Sequence, residues 1–357
     1  MNGFNLSDAS DIRLGGSTIT ALYYGSTLLW PSKRDYSKEY LTIEAAGDDD
    51  NDYSTIFFVT TNTTTTKSIQ YSKDKINWTS VNFNTTENAP SVNINIGEKI
   101  YLKAINDTYY ASSGFFSITI KGNTFRSIAK IYGNIMSLLY GDNFYGKTTL
   151  NSNNYRAFDS LFMPWSISVK SSLDASDLIL PATILAPWCY SNMFSNSALY
   201  IPPKLPATTL ADYCYEQMFS GCKSLTSSPE LPATTLAPNC YNNMFHGCSN
   251  LTSAPELPAT TLADYCYYSM FGYCYALTSA PELPATTLAK SCYYRMFDNC
   301  TSLNYIKCLA TDISAKDYTE GWTVNVSSTG TFVKNPNMSS WPTGDSGIPS
   351  GWTVQDA

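Results

Sequence analysis

The chain has 357 residues, a formal net charge of −7 and only 14% charged residues, and it contains one histidine. A chain of this length predicts two or three domains. The acidic balance and the absence of a lysine or arginine block argue against a nucleic-acid partner, whose phosphates would be repelled. The start of the chain, from Met1 to Ser10, has no basic and apolar signal segment, and no run of about 18 apolar residues occurs. We therefore expect synthesis in a cytoplasm without membrane insertion.

The first 122 residues carry the patterns of β structure. Short β-like runs at 12–14, 18–24 and 28–30 are separated by glycine-containing turns, so residues 1–35 are predicted to form a β meander that is too small for its own core. This module is expected to dock either on the next domain or, as an anchor, on a partner protein. Strand-like runs between residues 40 and 120 predict an immunoglobulin-like β-sandwich over residues 36–122.

A repeat of 26 residues follows. The string Leu-Pro-Ala-Thr-Thr-Leu-Ala begins at Leu205, Leu231, Leu257 and Leu283, and a shorter variant begins at Leu180. A fixed period of this size is typical of a solenoid, in which each unit buries its apolar side against its neighbours. Residues 180–308 are predicted to form the repeats, residues 123–179 a linker and N-terminal cap, and residues 309–357 a C-terminal cap.

Each unit is predicted to hold one helix and one short strand. Leu262, Cys266 and Met270 are spaced four residues apart, which places them on one face of a helix. The segment 251–257 alternates apolar and polar residues before a proline, which predicts a short strand. The expected fold is therefore multidomain, with an all-β N-terminal part followed by an α/β solenoid with caps.

The cysteines and methionines of the repeats form columns at the unit period. We expect them to be a buried structural core with reduced thiols, because parallel side chains in a stacked column do not meet as a disulfide requires. Cys308 lies outside the columns and is the cysteine most expected to react if exposed. The predicted core ladder consists of Cys214, Cys240, Cys266, Cys292, Met218, Met244, Met270 and Met296.

The positions that vary between units are more informative about binding. They lie off the predicted apolar face and are therefore expected to be exposed, as a strip of aromatic, amide and basic side chains suited to sugar rings or protein epitopes. Free variation of unselected surface positions is the alternative explanation. The predicted strip consists of Trp188, Tyr213, Asn239, Tyr265, Tyr268, Tyr294 and Arg295.

No catalytic, metal or cofactor site is predicted. His246 lies in a variable turn, and without a second histidine neither a Ser–His triad nor a multi-histidine metal site can be assembled. Glu230, Glu256 and Glu282 repeat at the unit period, which favours an exposed ladder over a catalytic pair. The acidic run 48–52 lacks the later glycine and glutamate of a calcium loop and is predicted to be a hairpin turn.

The unit that runs from Leu251 to Phe271 resembles the BspA-like leucine-rich repeats of bacterial surface proteins and of phages that infect gut Bacteroidales. The segments 9–17 and 23–31 resemble short N-terminal modules of phage virion proteins. These resemblances imply an α/β leucine-rich-repeat solenoid and a role in adhesion to host surfaces.

With no export signal at the start, they favour a non-enzymatic virion protein, tail- or fibre-associated. Residues 1–35 would bind other virion proteins, the repeats would bind a host glycan or protein receptor, and a homo-oligomer is expected. A structural decoration of capsid or tail, a bacterial BspA-like adhesin and, least favoured, a glycan depolymerase remain alternatives.

Overall fold

The structure is a computed structural model that describes residues 35–47, 52–60, 68–85, 88–105, 116–123, 127–164, 172–314, 317–338 and 340–357, together with the backbone of four short strands before residue 31. These four strands form two antiparallel hairpins. The first hairpin pairs β1 (Arg13–Leu14) with β2 (Ser17–Thr18), and the second pairs β3 (Leu22–Tyr24) with β4 (Thr27–Trp30). The other residues of the predicted anchor module lie outside the described part of the chain.

Eight longer strands form two antiparallel sheets. The strands are β5 (Leu41–Ala46), β6 (Tyr53–Thr60), β7 (Ser68–Ser72), β8 (Thr79–Asn82), β9 (Ser91–Asn95), β10 (Lys99–Ala104), β11 (Phe116–Gly122) and β12 (Ile128–Asn134). One sheet has the order β12-β5-β10-β7-β8, and the other has the order β11-β6-β9. We call residues 41–134 the sheet region.

The two sheets pack through alternating apolar side chains. Along β6, Ser54, Ile56 and Phe58 are buried while the residues between them are partly exposed, as expected for a strand with one face in a core. The Phe58 ring lies 6.4 Å from Tyr71 on β7 and 5.7 Å from Phe83, so it reaches from one sheet to the other. The immunoglobulin-like strand order stays a prediction.

The larger sheet continues into the repeats. The strand β12 also pairs in parallel with β13 (Ser172–Asp174) and β14 (Leu178–Ile179), and β13 pairs in parallel with β15 (Leu199–Ile201). A short helix, α1 (Ser137–Tyr140), follows β12. Single 3-10 turns occupy Tyr36–Lys38, Gly141–Asn143 and Ser152–Asn154. No helix in the described ranges is long and apolar enough to cross a membrane.

The predicted α/β leucine-rich-repeat solenoid is wrong, because the repeats contain no helix. The one α-helix of the described residues is α1, and residues 264–273 are instead consecutive turns. Within this segment, the amides of Cys266, Tyr268 and Met270 donate to carbonyls three residues earlier. The amides between them do not donate within the unit at all. We call residues 180–308 the repeat stack.

The alternate amides join one unit to the next. The N–H groups of Tyr265 and Ser269 donate at 2.8 Å to carbonyls of Lys290 and Tyr294 in the following unit. The same pattern recurs along the stack, so half of the amides of the turns are satisfied only when a neighbouring unit is present. A helix satisfies its amides by hydrogen bonds within its own segment. The turns of the repeat stack instead divide their amide hydrogen bonds between their own unit and the next one.

Positive φ angles at every fourth residue stop a helix from forming. Tyr265, Ser269 and Tyr273 have φ values of 58°, 48° and 62°, in the left-handed region that right-handed helices exclude. The buried residues between them are therefore spaced four apart, which a short helix would also produce. This coincidence explains why the apolar pattern indicated a helix.

The strand predicted over 251–257 does not form a continuous ladder. In the middle of the stack it forms isolated parallel bridges, such as Ser227 with Ser253 and Ser279 with Tyr305. Pro255 in this segment has no N–H to continue a ladder. Longer ladders occur only at the ends of the stack, at β15 and at β16 (Tyr305–Cys308).

Two columns of buried rings form the core of the stack. Neighbouring tyrosines lie 5.7 to 6.1 Å apart between ring centroids, and neighbouring phenylalanines lie 5.6 to 6.0 Å apart. All of these rings are almost completely buried. The columns are Tyr190, Tyr215, Tyr241, Tyr267 and Tyr293, and Phe194, Phe219, Phe245, Phe271 and Phe297.

Divergent segments cover both ends of these columns. Phe158 and Phe162 stack on the first tyrosine and phenylalanine, at the place where the sequence predicts a cap. Trp322 stacks on Tyr293 at 6.2 Å, and its carbonyl accepts the hydrogen bond that methionine carbonyls accept elsewhere. Beyond it, β16 continues in parallel into β17 (Thr331–Lys334) and β18 (Thr353–Asp356).

Candidate binding surface on the turns of the repeat stack

The predicted core ladder lies in the interior of the stack. All eight of its cysteine and methionine side chains have no exposed surface. The second cysteine column makes hydrogen bonds between units: the Cys248 thiol donates to the Phe219 carbonyl at 3.1 Å, and Cys274 donates to Phe245 at 3.2 Å. All ten cysteines are free and buried. Burial raises the pKa of the Cys248 and Cys274 thiols well above their usual value, which disfavours the reactive thiolate.

Cys308 is buried as well, because the register shifts by one residue at the last unit. Lys307, and not Cys308, lies beside Glu282, with 3.1 Å between the ammonium nitrogen and a carboxylate oxygen. Cys308 instead bridges Leu283 and has no exposed surface. Its burial raises the pKa of its thiol to about 12. The Cys308 thiol is therefore neither accessible to reagents nor readily ionised.

The seven predicted binding residues lie along the turns, and we call them the turn strip. The expectation that all of them are exposed is not met: Arg295 is exposed, Asn239 is 9% exposed, and the five aromatic side chains are half-buried. The cause is contact between units, because side chains of adjacent turns stack on one another. The strip therefore forms a preorganised surface in place of a row of separate side chains.

One aromatic cluster lies at the N-terminal end of the strip. The rings of Trp188 and Tyr213 stack almost in parallel, 4.2 Å apart and 4° from coplanar. Tyr155 meets the edge of Trp188 at 5.4 Å, and the Arg156 guanidinium lies over the Trp188 ring at 5.3 Å. Both faces of Trp188 are therefore covered, whereas Tyr213 has no other ring contact among the described residues.

Two carboxylates lie beside this cluster. Asp159 is 8% exposed and lies 3.4 Å from Arg156, and burial raises its pKa to about 6. Burial also raises the pKa of Glu216, which accepts hydrogen bonds from Trp188 and Ser191. The sequence interpretation missed Tyr155, Arg156 and Asp159 because this segment lacks the 26-residue period. The signal available in the sequence was the echo of the repeat at Phe158 and Phe162.

A second cluster lies nearer the C-terminal end. Tyr268 and Tyr294 stack 4.8 Å apart and 7° from coplanar, and Tyr265 lies 6.1 Å from Tyr268. The Arg295 guanidinium lies over Tyr294 at 5.6 Å, and the Lys290 ammonium lies over Tyr265 at 5.6 Å. This end of the strip is therefore basic as well as aromatic.

One amide layer separates the two clusters. Asn239 occupies the position that Tyr213 and Tyr265 hold in the flanking units, and Asn242 occupies the position of Tyr268. The Asn242 side-chain nitrogen donates to the Asn239 side-chain oxygen at 2.9 Å. The aromatic column is interrupted here over one unit.

Three of the five aromatic residues of the strip adopt an unfavourable backbone conformation. Trp188, Tyr213 and Tyr265 have φ values of 55°, 58° and 58°, and Asn239 in the same column has 55°. Asparagine tolerates this region, whereas bulky residues there cost of the order of 1 kcal/mol or more. Positive φ also occurs at Ser269 and Tyr273, outside the strip, so this strain belongs to the turns of every unit and does not single out the aromatic positions.

The other predicted candidates form no catalytic arrangement. Glu230, Glu256 and Glu282 are exposed along the strand side, where a cavity of about 660 Å³ lies between two units. His246 is half-buried beside Tyr273 at 5.1 Å, and burial lowers its pKa. The part of the chain that the structure describes contains no cluster of three metal-binding side chains. Of the acidic run 48–52, only residue 52 is described.

Comparisons with known proteins found no matching family model, no matching curated protein and no matching solved structure.

Proposed function

We propose that this chain is a binding protein of a phage particle and that the turn strip attaches it to the bacterial surface. The observation that carries the proposal is the strip itself: two aromatic clusters with cationic neighbours, held by adjacent units on one side of the stack. Aromatic and arginine side chains dominate binding energy at protein surfaces, and stacking between units removes the entropic cost of ordering them on contact.

The particle assignment rests on the resemblance of the repeats and of the N-terminal segments to virion proteins. In this proposal the N-terminal module joins the chain to other particle proteins, and no catalytic step is required. If the repeat stack instead packs against particle subunits, the protein is a structural decoration, and if it is displayed by a cell, it is an adhesin of the bacterium.

The test is attachment of the purified full chain to Bacteroidales cells with and without capsule. We expect attachment by the natural protein and a loss of at least tenfold with Tyr265→Asn plus Tyr268→Ala. The matched control is Tyr273→Asn, which removes an exposed tyrosine at positive φ outside the strip and is expected to attach normally. Equal attachment by the folded double variant would contradict the role of the strip. A natural protein that attaches to no strain but binds other particle proteins would favour structural decoration.

A further inference from the structure

A row of cavities lies along the strand side of the repeat stack. Cavities of about 280, 420, 430 and 660 Å³ follow one another, and each shares lining residues with the next, so they form one continuous groove. No residue of the turn strip lines it. We call this groove the proline trough, and its lining lies mainly in residues 176–181, 202–206, 227–232, 252–258 and 279–284.

Two columns of prolines line the trough. In one unit Pro255 is buried, whereas Pro258 and its counterpart Pro232 in the preceding unit are exposed. Proline has no N–H group, so the backbone at these positions presents ring carbons and carbonyl oxygens and no donor. The trough therefore offers apolar contacts and hydrogen-bond acceptors at positions where another residue would offer an amide.

The charged residues of the trough are mostly acidic. Glu230, Glu256 and Glu282 are exposed between the proline columns. A carboxylate accepts hydrogen bonds and donates none. Among the described residues, Glu230 and Glu256 form no ion pair. The middle of the trough therefore attracts a cationic group that donates hydrogen bonds, and it repels phosphates and acidic sugars.

One contact within the chain shows how such a group binds. Lys307 on β16 places its ammonium nitrogen 3.1 Å from a carboxylate oxygen of Glu282, at the C-terminal end of the trough. Lys204 occupies the glutamate column one unit before Glu230, so this column also accepts a lysine side chain. The same carboxylate–ammonium contact is open at Glu230 and Glu256.

The length of the trough selects an extended chain over a small cation. Tyrosine rings of successive units lie 5.7 to 6.1 Å apart, so five lining segments extend over roughly 20 to 24 Å. An extended peptide rises about 3.3 Å per residue and would need about six or seven residues to fill this length. Its apolar atoms would pack on the proline rings, and its cationic side chains would reach the glutamates.

We propose that the proline trough is a docking groove for an extended segment of another protein that carries lysine or arginine. Electrostatic complementarity selects the segment, and the apolar walls contribute contact area. The inference goes beyond the proposed function and does not depend on it, because the trough and the turn strip share no residue.

The test measures binding of a fluorescent peptide of alternating lysine and alanine, about eight residues long, to the full chain by fluorescence anisotropy. The test variant is Glu230→Gln plus Glu256→Gln, which keeps the shape of both side chains and removes their charge. The matched control is Asp212→Asn plus Asp345→Asn, which removes the same charge at exposed positions outside the trough. A second test variant, Glu256→Lys, introduces the residue that Lys204 already supplies in this column. Melting temperatures verify that all variants fold.

We expect the natural protein and the control to bind the peptide equally, the glutamine variant to bind at least fivefold more weakly, and Glu256→Lys to bind more weakly still. The same peptide with acetylated lysines should not bind. Absence of binding by the natural protein, or equal weakening by the control, overturns the proposal. Complete displacement of the peptide by spermidine at the same total charge also overturns it, because the trough would then bind any small cation.

Discussion

The sheet region and the repeat stack bury similar apolar side chains but satisfy their backbones differently. In the sheet region, antiparallel strands such as β6 and β11 pair over seven consecutive residues, and side chains alternate with a period of two. In the repeat stack, alternate amides donate to the next unit and buried residues recur with a period of four. Each unit of the stack therefore depends on the adjacent units for its backbone hydrogen bonds. The same contacts between units order the side chains of the turn strip.

The largest expected effect on stability follows from placing a charged side chain in the buried core columns of the repeat stack. Met270→Asp should destabilise the stack by several kcal/mol, because a carboxylate would be buried without a partner and both neighbouring units lose their packing. Urea unfolding measures the change. Thr260→Asp, at an exposed position of the same unit, is the control and should change stability by less than about 0.5 kcal/mol.

A buried acid just before the repeat stack, Asp159, should give a pH dependence opposite in sign to that of an acid in the sheet region. Burial raises the pKa of Asp159 from 3.8 to about 6, so the folded chain holds a proton that the unfolded chain releases. The stabilising contribution is present below about pH 4 and is lost as the pH rises to about 6, by at most about 3 kcal/mol. Unfolding measured from pH 4 to 7 should show this decline, and Asp159→Asn should flatten it.

Asp74 in the sheet region provides the contrast. Backbone hydrogen bonds from Asn77 and Ile76 lower its pKa, so its contribution is lost as the pH falls. Asp74→Asn should therefore remove a stabilisation that is present at neutral pH. If Asp159→Asn and Asp74→Asn changed the pH profile in the same direction, the proposed environment of Asp159 would be wrong.

A smaller effect is expected from the thiol hydrogen bonds, which exist only in the stack. Cys248→Ala should cost about 1 to 2 kcal/mol, because the Phe219 carbonyl loses a donor and a small void remains. Cys248→Ser keeps a donor and should cost less, since Ser197 already occupies this column in the first unit. Equal losses in the two variants, compared by urea midpoint, would show that the hydrogen bond contributes nothing.

The smallest expected effect is a gain in stability. Tyr273 holds φ at 62° where Gly221, Gly247 and Asn299 occupy the same column, so Tyr273→Asn should stabilise the chain by up to about 1 kcal/mol. A rise in melting temperature is the expected readout. A loss of stability with Tyr273→Asn would indicate that the contact with His246 outweighs the strain.

The sequence predicted the interior position of Cys266 and Met270, because a fixed period requires stacking and apolar columns require burial. It did not predict the turns, since residues four apart share a face in both structures. A distinguishing signal was present: Asn239, Asn243 and Gly247 recur at strict intervals of four, which suits a repeated left-handed position and is costly in a helix.

The arrangement of the candidate binding surface could be predicted only in part. The positions that vary between units identified the turn strip. Because a helix was predicted, the side chains of the strip were expected to be exposed and separate from one another. Their stacking depends on which residues adjacent units place at the same height, which the repeat register could have indicated for Trp188 and Tyr213. The contributions of Tyr155 and Arg156 could not be predicted from the period, because the segment that carries them diverges from the repeat.

The sign of φ along one unit tests the turn stack most directly. Backbone Cα, Cβ and carbonyl chemical shifts for residues 264–274, measured by nuclear magnetic resonance on deuterated full-length protein, report it residue by residue. We predict positive φ at Tyr265, Ser269 and Tyr273, with protected amides on the residues that donate to the next unit. Negative φ throughout, with helical shifts and amides bonded four residues back, would contradict the turn stack and restore the helix.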